Sequence, residues 1–272
     1  MSLDHEFDKF LKKVCPPREL DWRKYRRASR RKVLDRINEL GLAGPWDYAR
    51  FLEHNPCESQ NLPNLLRVTV SRFFREKEVW QDLADLVLPA LLTRIGCARP
   101  LRVLHIGACS GEEPYSLALL WKTRFQPVFA ESQVRITGLE LDRDCLTRAW
   151  SGFYSPKTLR ELPKDMLQWF TQEPGGYRLS PDIMSLARLR EFDLLKDPLP
   201  QNQDLIFCRY LVFTYFRGKR LQQMAKRISG SLSPHGYLVV GQKEHMGAAG
   251  RYLAPAFGSP RLYQLPKTNN TG

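Results

Sequence analysis

From Pro100 onward the sequence alternates short apolar runs with helical stretches. LRVLHI (101–106) precedes a helix opening at Glu112, and VRITGLEL (134–141) precedes one near Arg143. LARLREF (186–192), DLIFC (204–208) and GYLVV (236–240) supply three more runs. Short apolar runs bounded by turn residues read as strands, and strands separated by helices join in parallel with helices on both faces of one sheet. The expectation is an α/β fold of the doubly wound, Rossmann-like kind. RYLAP and RLYQL in the tail suit antiparallel edge strands. Between Ser155 and Leu186 a helix and a hairpin around Gly175-Gly176 and Ser180-Pro181-Asp182 break the alternation, marking an inserted small β-subdomain over about residues 156–186.

The stretch before residue 75 carries no strand pattern. Phe7, Phe10, Leu11 and Val14 fall at helical spacing until Pro16 and Pro17. Val33, Ile37 and Leu40 form a second stripe ended by Gly41, and Gly44-Pro45 opens a third helix with Tyr48, Phe51 and Leu52. Residues 1–75 therefore read as an all-helical domain and 96–272 as the α/β domain. A linker helix over 76–95 joins them, with Val79, Trp80, Leu83, Leu86, Val87 and Leu91 on its buried side.

A net charge of +13 favours acidic or polyanionic partners without choosing among them. It is densest in WRKYRRASRRKVLDR (22–36), eight Lys or Arg in fifteen positions. Val33 and Ile37 take the buried side of that helix, leaving Arg27, Arg30 and Arg31 for an acidic partner. A merely solvated basic face is the competing reading. Few aromatics accompany these charges, which disfavours base stacking and so nucleic acid. No apolar run is long enough to span a membrane, and the charged N-terminus lacks a signal core, so the chain is expected to stay in the cytoplasm; a monomer is expected, though the sequence leaves the oligomeric state open. The six cysteines show no CxxC spacing and no histidine cluster, so no structural metal is expected.

The loop GACSGEEPYSLALL (107–120) leaves the first strand, the favoured ligand position in an open parallel sheet. Its GxxxG spacing is neither a dinucleotide fingerprint nor a phosphate loop. Glu112 and Glu113 at the helix start would repel a pyrophosphate. A cationic, phosphate-free nucleoside fits better, which points to S-adenosylmethionine, with Glu140 after the second strand placed for ribose hydroxyls. A plain tight turn and a surface acid remain the alternative.

SGEEPYSLAL closely resembles the signature of the chemoreceptor glutamate methyltransferases, the CheR family. TVSRFFRE (69–76), LELD (139–142), DLIFCRYLVFTYF (204–216) and LSPHGYLVVGQKE (232–244) resemble other family motifs in the same order. The resemblance implies cofactor contacts at Thr69, Ser71, Arg75, Gly107, Glu113, Glu140, Asp193, Leu194, Arg209 and Tyr210. It places Arg75 and Tyr215 beside the transferred methyl, with S-adenosylhomocysteine as the product. The implied function is a methyl ester on glutamate side chains of an acidic helical protein, the chemoreceptor cytoplasmic domain. The 156–186 segment stands where the family carries a subdomain that can dock a receptor's tether peptide, a plain flap being the alternative.

The chain departs from the family at Tyr210, where Asn is usual, and by one added residue before Tyr215. These departures keep open a different protein or a small carboxylate as acceptor, or a non-catalytic cofactor-binding module. Nucleic-acid methylation is disfavoured, because neither an NPPY-like motif nor a catalytic Pro-Cys is present.

Overall fold

The computed structural model describes residues 3–14, 27–66 and 71–266. The chain divides into two compact units, one of residues 1–69 with 214–222 and one of 70–213 with 223–272.

The first unit holds α1 (Leu3–Val14), α2 (Arg27–Glu39), α3 (Pro45–His54) and α4 (Pro56–Leu66). The stripes seen in the sequence supply its core: Phe7, Phe10, Leu11, Val33, Ile37, Tyr48 and Leu52 are buried together with Leu62 and Leu66. Phe10 stacks on Tyr48 at 5.9 Å between ring centres. The sequence reading missed α4, because two prolines hide its periodicity. Pro56 occupies the first helical position, where its missing N–H costs nothing. Inside this unit Glu58 accepts from Tyr48 Oη (2.8 Å) and from Arg36 Nε and Nη2 (3.0 and 2.8 Å).

The second unit opens with α5 (Lys77–Asp82), a π turn (Leu83–Val87) and α6 (Leu88–Ile95). Its chain continues through β1 (Leu101–Ile106), α7 (Glu112–Leu120), β2 (Val134–Glu140) and α8 (Arg143–Ser151). The insert contributes β3 (Phe153–Tyr154), β4 (Phe170–Glu173), β5 (Gly176–Leu179) and α9 (Pro181–Met184). β6 (Ala187–Glu191), β7 (Gln203–Phe207), α10 (Val212–Tyr215), α11 (Gly218–Ser231), β8 (Leu232–Val239), β9 (Ala254–Ala256) and β10 (Ser259–Gln264) follow, with α10 and α11 each crossing the division between units. The main sheet runs β6-β2-β1-β7-β8-β10-β9, parallel through β8, with β10 antiparallel to β8 and β9. The insert folds as a separate antiparallel sheet, β3-β5-β4, whose first strand starts ahead of the expected boundary at 156.

Leu86 corrects the reading of the 76–95 helix. It is 38% exposed, while Val79, Trp80, Leu83, Val87 and Leu91 are buried in the core. Pro89 explains the shift: it cannot donate to the carbonyl four residues back and its ring crowds that turn. The preceding helix widens, the Leu88 amide reaches the Leu83 carbonyl, and the register slips by one residue.

At the start of β7, Asp204 is 1% exposed and bonds Arg99 through both guanidinium nitrogens (2.6 and 2.7 Å). It also accepts from the Arg102 amide (2.9 Å) and the Ser233 hydroxyl (3.1 Å), joining β1, β7 and β8 at their entry ends. Burial alone would raise this carboxyl, but Arg99 and the amide reverse the effect and hold it below the usual range. Asp204→Asn should lower unfolding stability by about 2 kcal/mol, read by urea denaturation at neutral pH. An unchanged midpoint would mean that the pair is only a surface contact.

Candidate functional site

The chain reverses direction across the sheet at β1, whose neighbours are β2 and β7, so the exit ends of these three strands define the ligand crevice. Gly107, Cys109 and Gly111 of the loop after β1 have left-handed φ of +82°, +50° and +85°. A Cβ on Gly111 would sit 2.7 Å from the Tyr115 ring, so only glycine closes this turn. The Cys109 amide donates to Glu140 Oε2 (2.8 Å). Glu140 Oε1 accepts from the Leu141 and Asp142 amides (2.8 and 2.9 Å). Glu140 thereby ties the first loop to the end of β2. Three of a carboxylate's roughly four lone-pair positions are in use.

Beneath this loop lies a buried ionic cluster centred on Arg209, 4% exposed, just after β7. Its Nη1 reaches Glu113 Oε2 (2.7 Å), and its Nη2 reaches Glu76 Oε2 and the Arg75 carbonyl (both 2.8 Å). His105 Nδ1 lies 3.0 Å from Glu113 Oε1, and its ring stacks on Phe207. Burial opposes the charge on Glu113 and Glu76, but Arg209 with His105 reverses it at the first, and the Tyr210 hydroxyl with Arg209 reverses it at the second. Both stay anionic. His105 is pushed down by its burial and stays neutral, with its Nε2 buried and unpartnered. Two acids against one guanidinium leave the cluster net negative.

Tyr210 lines the same crevice with φ +56°. Its hydroxyl donates to Glu76 Oε1, and its amide donates to Glu244 Oε2 (2.7 Å), which also holds the Gly241 amide (2.8 Å). The Arg75 guanidinium lies over the Tyr210 ring, 4.2 Å from its centre, and has no carboxylate partner among the described residues. Gly241 backs the ring closely, since a Cβ there would be 2.6 Å from it.

The structure therefore brings Arg75, Glu113, Arg209 and Tyr210 into one network, with Gly107 on the loop above and Glu140 at the end of β2 bonded to that loop. Asp193 and Leu194 follow β6, tied to Glu140 by the Phe192 amide on its carbonyl (2.9 Å). The Asp193 carboxylate closes its own turn on the Leu195 amide (2.9 Å). Ser71 is half-buried beside the network's segment, and Thr69 lies outside the described residues. Tyr215 ends α10, half-buried, and belongs to the other compact unit. In that unit Arg30 lies over the Phe7 ring at 5.9 Å, Arg31 is exposed with Asp35 at 3.8 Å, and Arg27 opens α2. Sequence reasoning passed over Glu76, His105 and Glu244. Glu76 and Glu244 end quoted motifs and carried no periodic signal, and His105 reads as one more inward strand position.

The net-negative cluster, the unpartnered His105 nitrogen and the acids around the loop fit a cationic, phosphate-free ligand and would oppose a pyrophosphate. A cavity of about 330 Å³ lies instead at the entry ends of the strands, where Arg99 and Asp204 are already paired.

Glu112, at the start of α7, is 4% exposed with Oε2 unpartnered, and burial pushes its carboxyl up to about 7. A raised carboxyl contributes stability below its unfolded value of about 4.5 and loses it as pH rises through about 7. Glu112→Gln should remove that slope, gaining on the native protein by on the order of 2–3 kcal/mol between pH 5 and 8 in urea denaturation. Parallel pH profiles would refute the assignment. Gly241→Ala should destabilise the protein by about 1–3 kcal/mol by overpacking, and Tyr210→Asn should relieve most of the loss. Additive effects in the double-mutant cycle would show that the ring and Gly241 are not coupled.

Comparison with known proteins finds relatives over most of the chain. A chemotaxis protein methyltransferase of Listeria innocua is 28% identical over 251 residues, covering 90% of this chain and 92% of that protein. A probable chemotaxis protein methyltransferase of Rhizobium etli is 27% identical over 230 residues, covering 82% and 85%. An uncharacterised 104.1 kDa protein of Rhodobacter capsulatus is 27% identical over 220 residues, or 80% of this chain, which spans only 22% of its length. Residues 69–258 match the family described as CheR methyltransferase, SAM binding domain. The chain thus belongs to the CheR methyltransferase family and is an S-adenosylmethionine-dependent methyltransferase.

Proposed function

We propose that the protein forms methyl esters on glutamate side chains of an acidic helical protein, the cytoplasmic domain of a chemoreceptor. The observation that carries this reading is Arg75. Its guanidinium lies over the Tyr210 ring, its carbonyl is bonded to Arg209 of the buried cluster, and its donors are unspent on any carboxylate of the described chain. Such a fork is placed to receive an acceptor's carboxylate. The printed names of the Listeria and Rhizobium relatives support chemotaxis as the setting.

S-adenosylmethionine, when bound, supplies an activated methyl group on a sulfonium. The Glu113–Arg209–Glu76 cluster would hold its cationic end, Glu140 its ribose, and the Asp193–Leu194 turn its adenine. An acceptor glutamate with pKa near 4.3 is already ionised at neutral pH, so no side chain has to take a proton. Orientation is the remaining work. Arg75 aims the acceptor oxygen, and its anchorage on Tyr210 limits how tightly it grips, so the nucleophile is not quenched. Phe73 and Phe74, both buried beside it, keep water from the approach.

Purified protein with methyl-labelled S-adenosylmethionine should place base-labile label on a receptor cytoplasmic fragment and none on RNA. Arg75→Ala should cut kcat/KM by about 100-fold or more, with S-adenosylhomocysteine affinity held within roughly tenfold by calorimetry. A fully active Arg75→Ala protein would remove the assigned role. Label on RNA, or on a small carboxylate but no receptor fragment, would replace the substrate.

A further inference from the structure

The connection from β6 to β7, residues 192–202, contains no helix, although one face of the sheet would ordinarily receive one there. The strand register shows what lies on that face. Arg102 of β1 pairs directly with Arg135 of β2, and Thr137, two residues on, pairs with Arg188 of β6. Arg190 follows on the same side of β6, the edge strand. Four arginines thus form a diagonal strip that spans roughly 16 Å at ordinary strand spacing. Arg135, Arg188 and Arg190 are exposed and Arg102 half-exposed.

None of the four side chains has an ion pair among the described residues, and Arg190 only overlies Phe192. Glu140 and Glu191 point to the opposite face, and Asp204, on the same face, is buried and spent on Arg99. Like charges directly opposite in a sheet destabilise it. The free protein carries that cost, and an anionic partner would relieve it.

We infer that this strip is a second docking surface for an acidic α-helix, separate from the methyl-transfer crevice. The inference rests on the proposed function for the identity of its partner. Arginine forks match carboxylates bidentately. Arg188 and Arg190 stand about 6.7 Å apart along β6, close to the roughly 6 Å rise between acids four residues apart on a helix. Exposed aromatics that would stack bases are absent from these strand positions, which favours a helix over RNA. Arg102, Arg135 and Arg188 lie toward the entry ends of their strands, away from the loop at 107–111. A long helical substrate gripped there is held without crowding the crevice.

The test compares the full chain with Arg135→Glu/Arg188→Glu and Arg135→Lys/Arg188→Lys. The probe is a fluorescein-labelled helical peptide with glutamates every fourth residue, its glutamine counterpart being the control. Charge reversal should weaken glutamate-peptide binding about tenfold or more, the lysine variant should stay within roughly threefold, melting temperature should not fall in either variant, and S-adenosylhomocysteine affinity should not move. Equal binding by the reversed variant, equal binding of the glutamine peptide, or loss confined to a single-stranded RNA probe would each overturn the inference. Ester formation is read separately. Strip-dependent binding without receptor ester would strike the proposed function alone, and ester with strip-independent binding would strike the strip alone.

Discussion

The Arg209 guanidinium is the contact on which the crevice depends. A buried cation is tolerated only where its hydrogen bonds are met, and losing one partner of such a set costs about 3–5 kcal/mol. Arg209 meets this condition at both terminal nitrogens, its Nε alone lacking a partner among the described residues, by drawing three chain segments together: the exit of β7, the backbone at Arg75 and Glu76, and the start of α7. It also decides which charges remain available. Glu76 is sequence neighbour to Arg75 and would neutralise it if both faced the same way. A left-handed φ of +63° at Glu76 turns its carboxylate to Arg209, Tyr210 and the Gln242 amide instead. Arg75 is left to the aromatic face. Phe74, Glu76, Cys109 and Tyr210 all adopt backbone that costs a non-glycine residue about 1–3 kcal/mol, and all four border this crevice. Such strain persists only where the surroundings over-determine it, and the bonds to Arg209, Glu140 and Glu244 do so here.

The parallel core was legible because its physics is local. Five apolar runs named their strands within a residue or two, apart from β8, which starts at Leu232 ahead of GYLVV. Leu232-Ser233-Pro234-His235 interrupts the apolar pattern there, and sheet pairing with Gln203 overrides it. Leu86 was misplaced because a proline acts on the turn before it, which a fixed helical period does not register. The loop acids Glu113 and Glu140 stood out as charges in a tight turn. Their partners did not: Glu76 meets Arg209 only through long-range closure of the fold, and His105 meets Glu113 only once the loop after β1 folds back. The arginine strip was equally hidden, because Arg102, Arg135 and Arg188 lie far apart in sequence and become neighbours only through strand register.

Tyr210 shows how a departure from a family pattern can be absorbed. Asparagine is among the residues that enter the left-handed region most readily, and a tyrosine there needs outside support. The chain supplies it through the Glu244 bond to the Tyr210 amide and a glycine at 241 where any side chain would strike the ring. The same ring then gives Arg75 a seat that an asparagine would not. A substitution that reads as a loss of a cofactor contact in the sequence becomes, in the fold, a change in what orients the guanidinium.

The sign of the charge inverts between the inside and the outside of the protein. The whole chain carries +13, whereas in the crevice Glu76 and Glu113 flank one buried arginine and Glu140 closes the loop beside them. In a medium of low dielectric the inner acids govern what binds within a few ångströms, and the outer field is felt over about a Debye length of 8–10 Å. Under the proposed function, one molecule thereby suits two ligands of opposite charge: a small cation that enters and a large polyanion that arrives but stays outside. Arg75 stands where these regimes meet. Partly exposed and without a carboxylate partner among the described residues, it extends the outer field to the mouth of the inner one, which is where the proposed acceptor carboxylate would stop.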